Sequence, residues 1–186
     1  MIKICMKVLG RATQRFRCDD NGATAVEFAM IVGPFFALLF AVLESTTIFF
    51  ATATLENGVL EVSRMVKTGQ AQEAELSASD FKTELCDRVS ALMDCDRIVV
   101  DVQTFEDLGS VSFASAIDDT GAFAIDPQFD AGSAGDIILI RAFYTWKVFT
   151  PGVGFAMANM SDGTERLIVA STAFRNEPFD SSLGGN

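Results

Sequence analysis

Histidine is absent from the 186 residues. That excludes imidazole acid–base catalysis and His-ligated zinc. No Walker-type phosphate loop, G-x-S-x-G nucleophile elbow or paired C-x-x-C occurs. Positive charge is scarce: 14 Lys and Arg stand against 25 Asp and Glu, a net charge of −11. Such a chain is poorly suited to phosphate contacts, so no nucleic-acid partner is expected. Asp118, Asp119, Asp126 and Asp130 are not spaced as an EF-hand and read as solvated loop acids. Asn159-Met-Ser161 matches a glycosylation acceptor at chance frequency. No catalytic residue, metal or cofactor is expected, and the chain does not read as an enzyme.

What is present is apolar. Hydrophobic residues make up 49% of the chain, and the mean hydropathy of +0.31 is high for a soluble protein. From Phe28 to Leu43 the sequence runs FAMIVGPFFALLFAVL without a charge. Ala25 to Phe50 is long enough to cross a bilayer if Glu27 and Glu44 sit near the two interfaces. The 17 positions between them correspond to ~25 Å of helix. Glu44 reads as a marker of the outer interface, with pairing to a partner helix as the alternative. Gly33-Pro34 lies inside this run, where a kink is expected because Pro34 removes a helix hydrogen bond and crowds the Met30 carbonyl.

Charge divides at the same place. Residues 1–22 carry Lys3, Lys7, Arg11, Arg15 and Arg17 against Asp19 and Asp20, a net +3, which leaves −14 for the rest. Basic flanks stay inside. The N-terminus is therefore expected in the cytoplasm and the acidic bulk across the membrane, in a periplasm. Cys5 and Cys18 fall in the inner segment. Cys86 and Cys95 are the pair in the oxidising region, which favours a disulfide over two buried thiols.

A secretory signal would place a short apolar core before a small-residue cleavage site. Here the apolar run is longer, and the small residues Gly22-Ala23 precede it. Gly22, then ATAV, then Glu27 resembles the processing site of type IV prepilins. The stretch from Gly22 through "TLENGVLEVSRMVKTGQAQ" resembles the TadE-like pseudopilins of Flp/Tad (tight adherence) pilus systems. "CDRVSALMDC", "GDIILIRAFYTWKVFTP" and "ASTAFRNEPF" resemble segments of the same family. Phe28 stands where the major pilin has tyrosine, which fits the minor subunit. The resemblance implies cleavage after Gly22 by a membrane prepilin peptidase, with Ala23 becoming the first residue. It also implies assembly with other pilus subunits and inner-membrane assembly proteins, with Glu27 and Phe28 as assembly residues. The alternative is an uncleaved single-pass anchor carrying a periplasmic scaffold domain.

The residue chemistry is compatible with that reading. A glycine lets a peptidase approach the backbone closely. Cleavage would create an amine four residues from Glu27, on one helix face. Placed in the first turn, Glu27 would also gain from the helix dipole. An acid deep in the span costs roughly 2.5–3.5 kcal/mol on insertion scales, and each of these features lowers that cost. The amine could belong to the same chain or to a neighbouring subunit, and a snorkelling glutamate is the plainer alternative.

Past the span, Leu55, Val59, Val62 and Val66 form one apolar stripe, with Glu61 and Arg64 spaced for an exposed pair. Lys67 and Gly69 are stop signals, so one helix over about 23–68 is expected. "AQEAELSAS" reads as a linker, and Ser77 or Ser79 as the cap of a second helix striped by Phe81, Leu85, Val89 and Leu92. The period then becomes two. "RIVVDVQTF", "DIILIRAFYTWKVF" and "RLIVASTAFR" read as strands, the first with Ile98, Val100 and Val102 on one face. In the second, Ile138, Ile140, Ala142, Tyr144 and Trp146 share a face. The fold class is α+β: a long N-terminal transmembrane helix continuing into a domain with a second helix and an antiparallel sheet of about three strands, pilin-like in outline. The expected organisation is a leader over 1–22, the long helix over 23–68 and the periplasmic domain over 69–186. Glu106 to Gly135 reads as a long loop with a possible strand at Ser110–Phe113. Pro151–Asp162 reads as another loop or a short helix, and the last ten residues as a tail.

Overall fold

The computed structural model describes residues 22–107, 109–111, 115–150, 157–161 and 163–179. Helix α1 runs Ala23–Lys67, within one residue of the expected end. Among the described residues it is the helix long and apolar enough to cross a membrane. The chain divides into two units, Met1–Val42 and Leu43–Asn186. In the described part of the first unit the large apolar side chains, among them Phe28, Met30, Ile31 and Phe40, are exposed. From Ile48 onward one stripe of α1 is buried: Ala51, Leu55, Val59, Val62 and Val66 belong to the core of the second unit. The spacing by three and four residues that predicted this stripe is what turns it toward one face.

Lys67 and Gly69 end the helix as expected. Gly69 has φ of 83°, and the Phe179 ring lies against its α-carbon, where an added Cβ would stand 2.5 Å from Cγ. Only glycine adopts this conformation cheaply and leaves room for the ring. The segment read as a linker is partly helical, because Gln70–Glu73 forms a short helix, α2. Helix α3 then spans Ala78–Val89. Ser77 is its cap, in a reciprocal box with Asp80: the Ser77 hydroxyl accepts from the Asp80 amide and the Asp80 carboxylate accepts from the Ser77 amide. Phe81, Leu85 and Val89 are fully buried. Leu92 lies beyond the helix end and packs at the core's margin.

Strands β1 (Ile98–Phe105), β2 (Ile137–Lys147) and β3 (Glu165–Arg175) form an antiparallel sheet in the order β1-β2-β3. Val102 opposes Ile140, and Tyr144 opposes both Ile98 and Ile168. Ile98, Val102, Ile138, Ile140, Ala142 and Tyr144 pack with the stripe of α1 and with α3 in one core. The chain leaving β3 returns to the end of α1, where the Glu177 amide donates to the Lys67 carbonyl at 2.9 Å. Residues 177–179, read as part of a tail, are therefore fastened to the helix.

The opposite face of the sheet is also covered, which period-two reading did not predict. Ile137, Leu139 and Phe143 are buried there, and Phe123 from the long loop packs edge-on against Phe143 with centroids 5.4 Å apart. The loop also lines up beside β1 through a bridge between Val102 and Phe129. Under this cover Asp101 is 0% exposed. It accepts from Arg141 Nε at 3.0 Å and Nη2 at 2.7 Å, from the Gln128 amide at 3.0 Å and from Gln103 Nε2. A buried carboxylate persists because every approach to it is a donor. The strand expected at Ser110–Phe113 falls partly on residues outside the described set, as does most of the expected 151–162 element.

Candidate functional site

The residues singled out near the N-terminus lie in sequence along α1. Gly22 precedes the helix directly, and a Cβ placed on it would meet nothing within 4 Å. Ala23 is the first helical residue and Glu27 the fifth. The first turn therefore holds no acid. This corrects the expected first-turn placement of Glu27: its amide is the first able to bond back to the Ala23 carbonyl. The dipole, strongest on the free amides ahead of it, acts on Glu27 less than expected. Ala23 and Glu27 remain one turn apart on one face. Phe28 is exposed. Helix α1 runs unbroken through Gly33 and Pro34, although Pro34 leaves the Met30 carbonyl without its usual helix partner.

Glu44 has partners that its reading did not include. It is 9% exposed. Its two carboxylate oxygens accept from consecutive backbone amides, Phe149 on one and Thr150 at 2.8 Å on the other. These amides lie just past β2, where the chain turns and no ladder partner is available, so a carboxylate is a strong acceptor for both. Far along the chain from the strand end whose amides it takes, Glu44 gives no periodic signal. A glutamate interrupting an apolar run with a stripe beginning four residues later was the available hint.

Glu61 also goes elsewhere than expected. Its carboxylate reaches Arg88 Nε of α3 at 2.9 Å, not Arg64, and Arg88 also pairs with Glu84. This cluster borders a cleft of about 470 Å³ between α1 and α3, lined by Thr54, Asn57, Gly58, Leu60, Glu61, Arg64 and Arg88. The lining contains no nucleophile–base pair. Among the described residues no group of acids, cysteines or histidines is arranged to hold a metal ion. The expected Cys86–Cys95 disulfide is present, with Cα atoms 5.7 Å apart. It joins the last turn of α3 to the 3-10 turn Cys95–Arg97 that leads into β1.

A protein-family model described as TadE-like protein matches residues 22–64. The N-terminal segment is thus similar to that family. The TadE-like match opens at Gly22, one residue ahead of α1, and contains Glu27, Phe28, Gly33, Pro34, Glu44 and the buried stripe as far as Val62. The sheet, the disulfide and the long loop lie outside it. No curated protein and no solved structure matches the chain.

Proposed function

We propose that this chain is a minor pilin, or pseudopilin, of a Flp/Tad pilus, acting in pilus assembly or its initiation. One coincidence carries the reading: the TadE-like match begins at Gly22 and the helix begins at Ala23. A cut after Gly22 would therefore fall directly before the first residue of α1. Removing residues 1–22 would leave α1 whole and place a new amine at its start, one turn from Glu27. In this reading the N-terminus faces the cytoplasm, α1 anchors in the inner membrane through its exposed apolar segment, and the disulfide-bearing domain lies in the periplasm. Its partners are a prepilin peptidase, other pilus subunits, inner-membrane assembly proteins and lipid. Its work is structural, as is that of TadE-like pilus proteins, and needs no catalysis.

The intact mass of the membrane-extracted protein tests the processing step. With an active prepilin peptidase the mass falls by residues 1–22. A full-length mass under that condition refutes the proposal and leaves a permanently anchored scaffold. Glu27→Ala keeps the outer domain folded and lowers piliation, and normal pili in that variant would remove the role given to its carboxylate.

A further inference from the structure

Beyond Leu43 the exposed large apolar side chains among the described residues are Phe49, Phe50, Leu60, Phe149 and Val169. The three aromatic ones lie on α1 or on the chain bonded to Glu44. Phe49 and Phe50 follow it by five and six positions on α1, ~8–9 Å along the helix. Phe149 has its amide fixed on the Glu44 carboxylate, yet its ring is 77% exposed. A phenyl ring held in water forgoes the stabilisation of burial, and here the backbone that carries the ring is tied down. Lys147, exposed two residues earlier, adds a cation beside the ring.

We propose that residues 148–150, just past β2, touch the lipid head-group surface, with the Phe149 ring inserted at the boundary of the hydrocarbon. The inference rests on the reading of α1 as a membrane anchor. Thr24 to Leu43 comprises 20 residues, or ~30 Å of helix, which fills the hydrocarbon thickness. Glu44 is the next residue, so the amides it holds are held at the edge of that layer. Phe49 and Phe50 then fall within head-group depth, where aromatic side chains are favoured, and Lys147 suits anionic phosphate. The Glu44 clasp is a positioning device in this account: it sets the height of Phe149, and the carboxylate itself is sealed from lipid by the two amides.

The test uses the full chain in bilayers of phosphatidylethanolamine and phosphatidylglycerol, with p-benzoylphenylalanine introduced singly in place of Phe36, Phe149 or Leu60. All three sites are exposed, so folding is little perturbed. After irradiation, lipid adducts are counted from the intact mass. Phe36 reports the anchor, and Leu60, ~24 Å past Glu44 along the helix, reports background. Position 149 is expected to form adducts within about threefold of position 36 and about tenfold above position 60, as an interfacial aromatic should. Adducts at 36 with only background at 149 overturn this inference and leave the anchor standing. Background at 36 overturns the anchor reading, and the inference with it.

Discussion

Replacing Asp101 by Asn is expected to remove about 3–5 kcal/mol of stability, the cost of leaving a buried cation without its counter-charge. The carboxylate is fully enclosed and takes donors from Arg141, Gln128 and Gln103. Asn preserves the shape but has one acceptor oxygen, and its amide group turns an N–H toward a guanidinium that needs an acceptor. Arg141→Met carries a similar cost for the opposite reason, since the stranded charge is then the carboxylate. Each single loss is a large share of the 5–15 kcal/mol typical of a folded domain. The double variant, in which neither charge remains, should be less destabilised than the sum by about 2 kcal/mol or more. Urea unfolding of the full chain in detergent micelles, followed by the fluorescence of Trp146, measures all four corners of the cycle. Trp146 packs against the core and is the sole tryptophan, so its signal reports the domain. A coupling below about 0.5 kcal/mol, the level at which independent sites add, would refute the claim that the pair works as a unit.

Replacing both Cys86 and Cys95 by Ser should lower stability by about 2–3 kcal/mol, because the bridge closes a short loop, nine positions in separation. An unchanged urea midpoint would contradict it. Gly69→Ala should cost at least about 1–2 kcal/mol from the positive φ alone, and a companion Phe179→Ala should relieve the added contact with the ring. Full additivity of the two changes would show that the ring does not press on Gly69. Asp80 is held below the ordinary carboxylate range by the Ser77 hydroxyl and amide, against a small opposing effect of burial. Its folded pKa is depressed, so its contribution is present above the unfolded value and lost as pH falls through the folded one. The thermal midpoint of Asp80→Asn should therefore decline less steeply than that of the parent over that acidic window, and parallel declines would count against the capping box.

The regular parts of this fold were legible because they repeat. Leu55 to Val66, Phe81 to Val89 and the three strands each announce a face by their spacing, and Gly69 and Ser77 mark ends by chemistry that acts within a few residues. Three features escaped because their causes lie far along the chain. Asp101 falls on the side of β1 that alternation assigns to water, and it is buried by a loop with no period. The run of Ile137, Leu139 and Phe143 among the core-facing residues of β2 was the available sign that both faces are covered. Glu44 is satisfied by amides more than a hundred residues later. Glu61 prefers Arg88 on another helix to its own neighbour. Glu27 missed the first turn by a single position, since the helix starts at Ala23 and no later.

The β2–β3 part of the chain is fastened to α1 at two places, Phe149–Thr150 on Glu44 and Glu177 on Lys67. Those points are ~35 Å apart along the helix, and the eleven residues of β3 between them extend to about the same length. A tensile load drawn along α1 is therefore divided between two fastenings set far apart on the helix. Opening the nearer one leaves the farther one closed, whichever terminus is pulled.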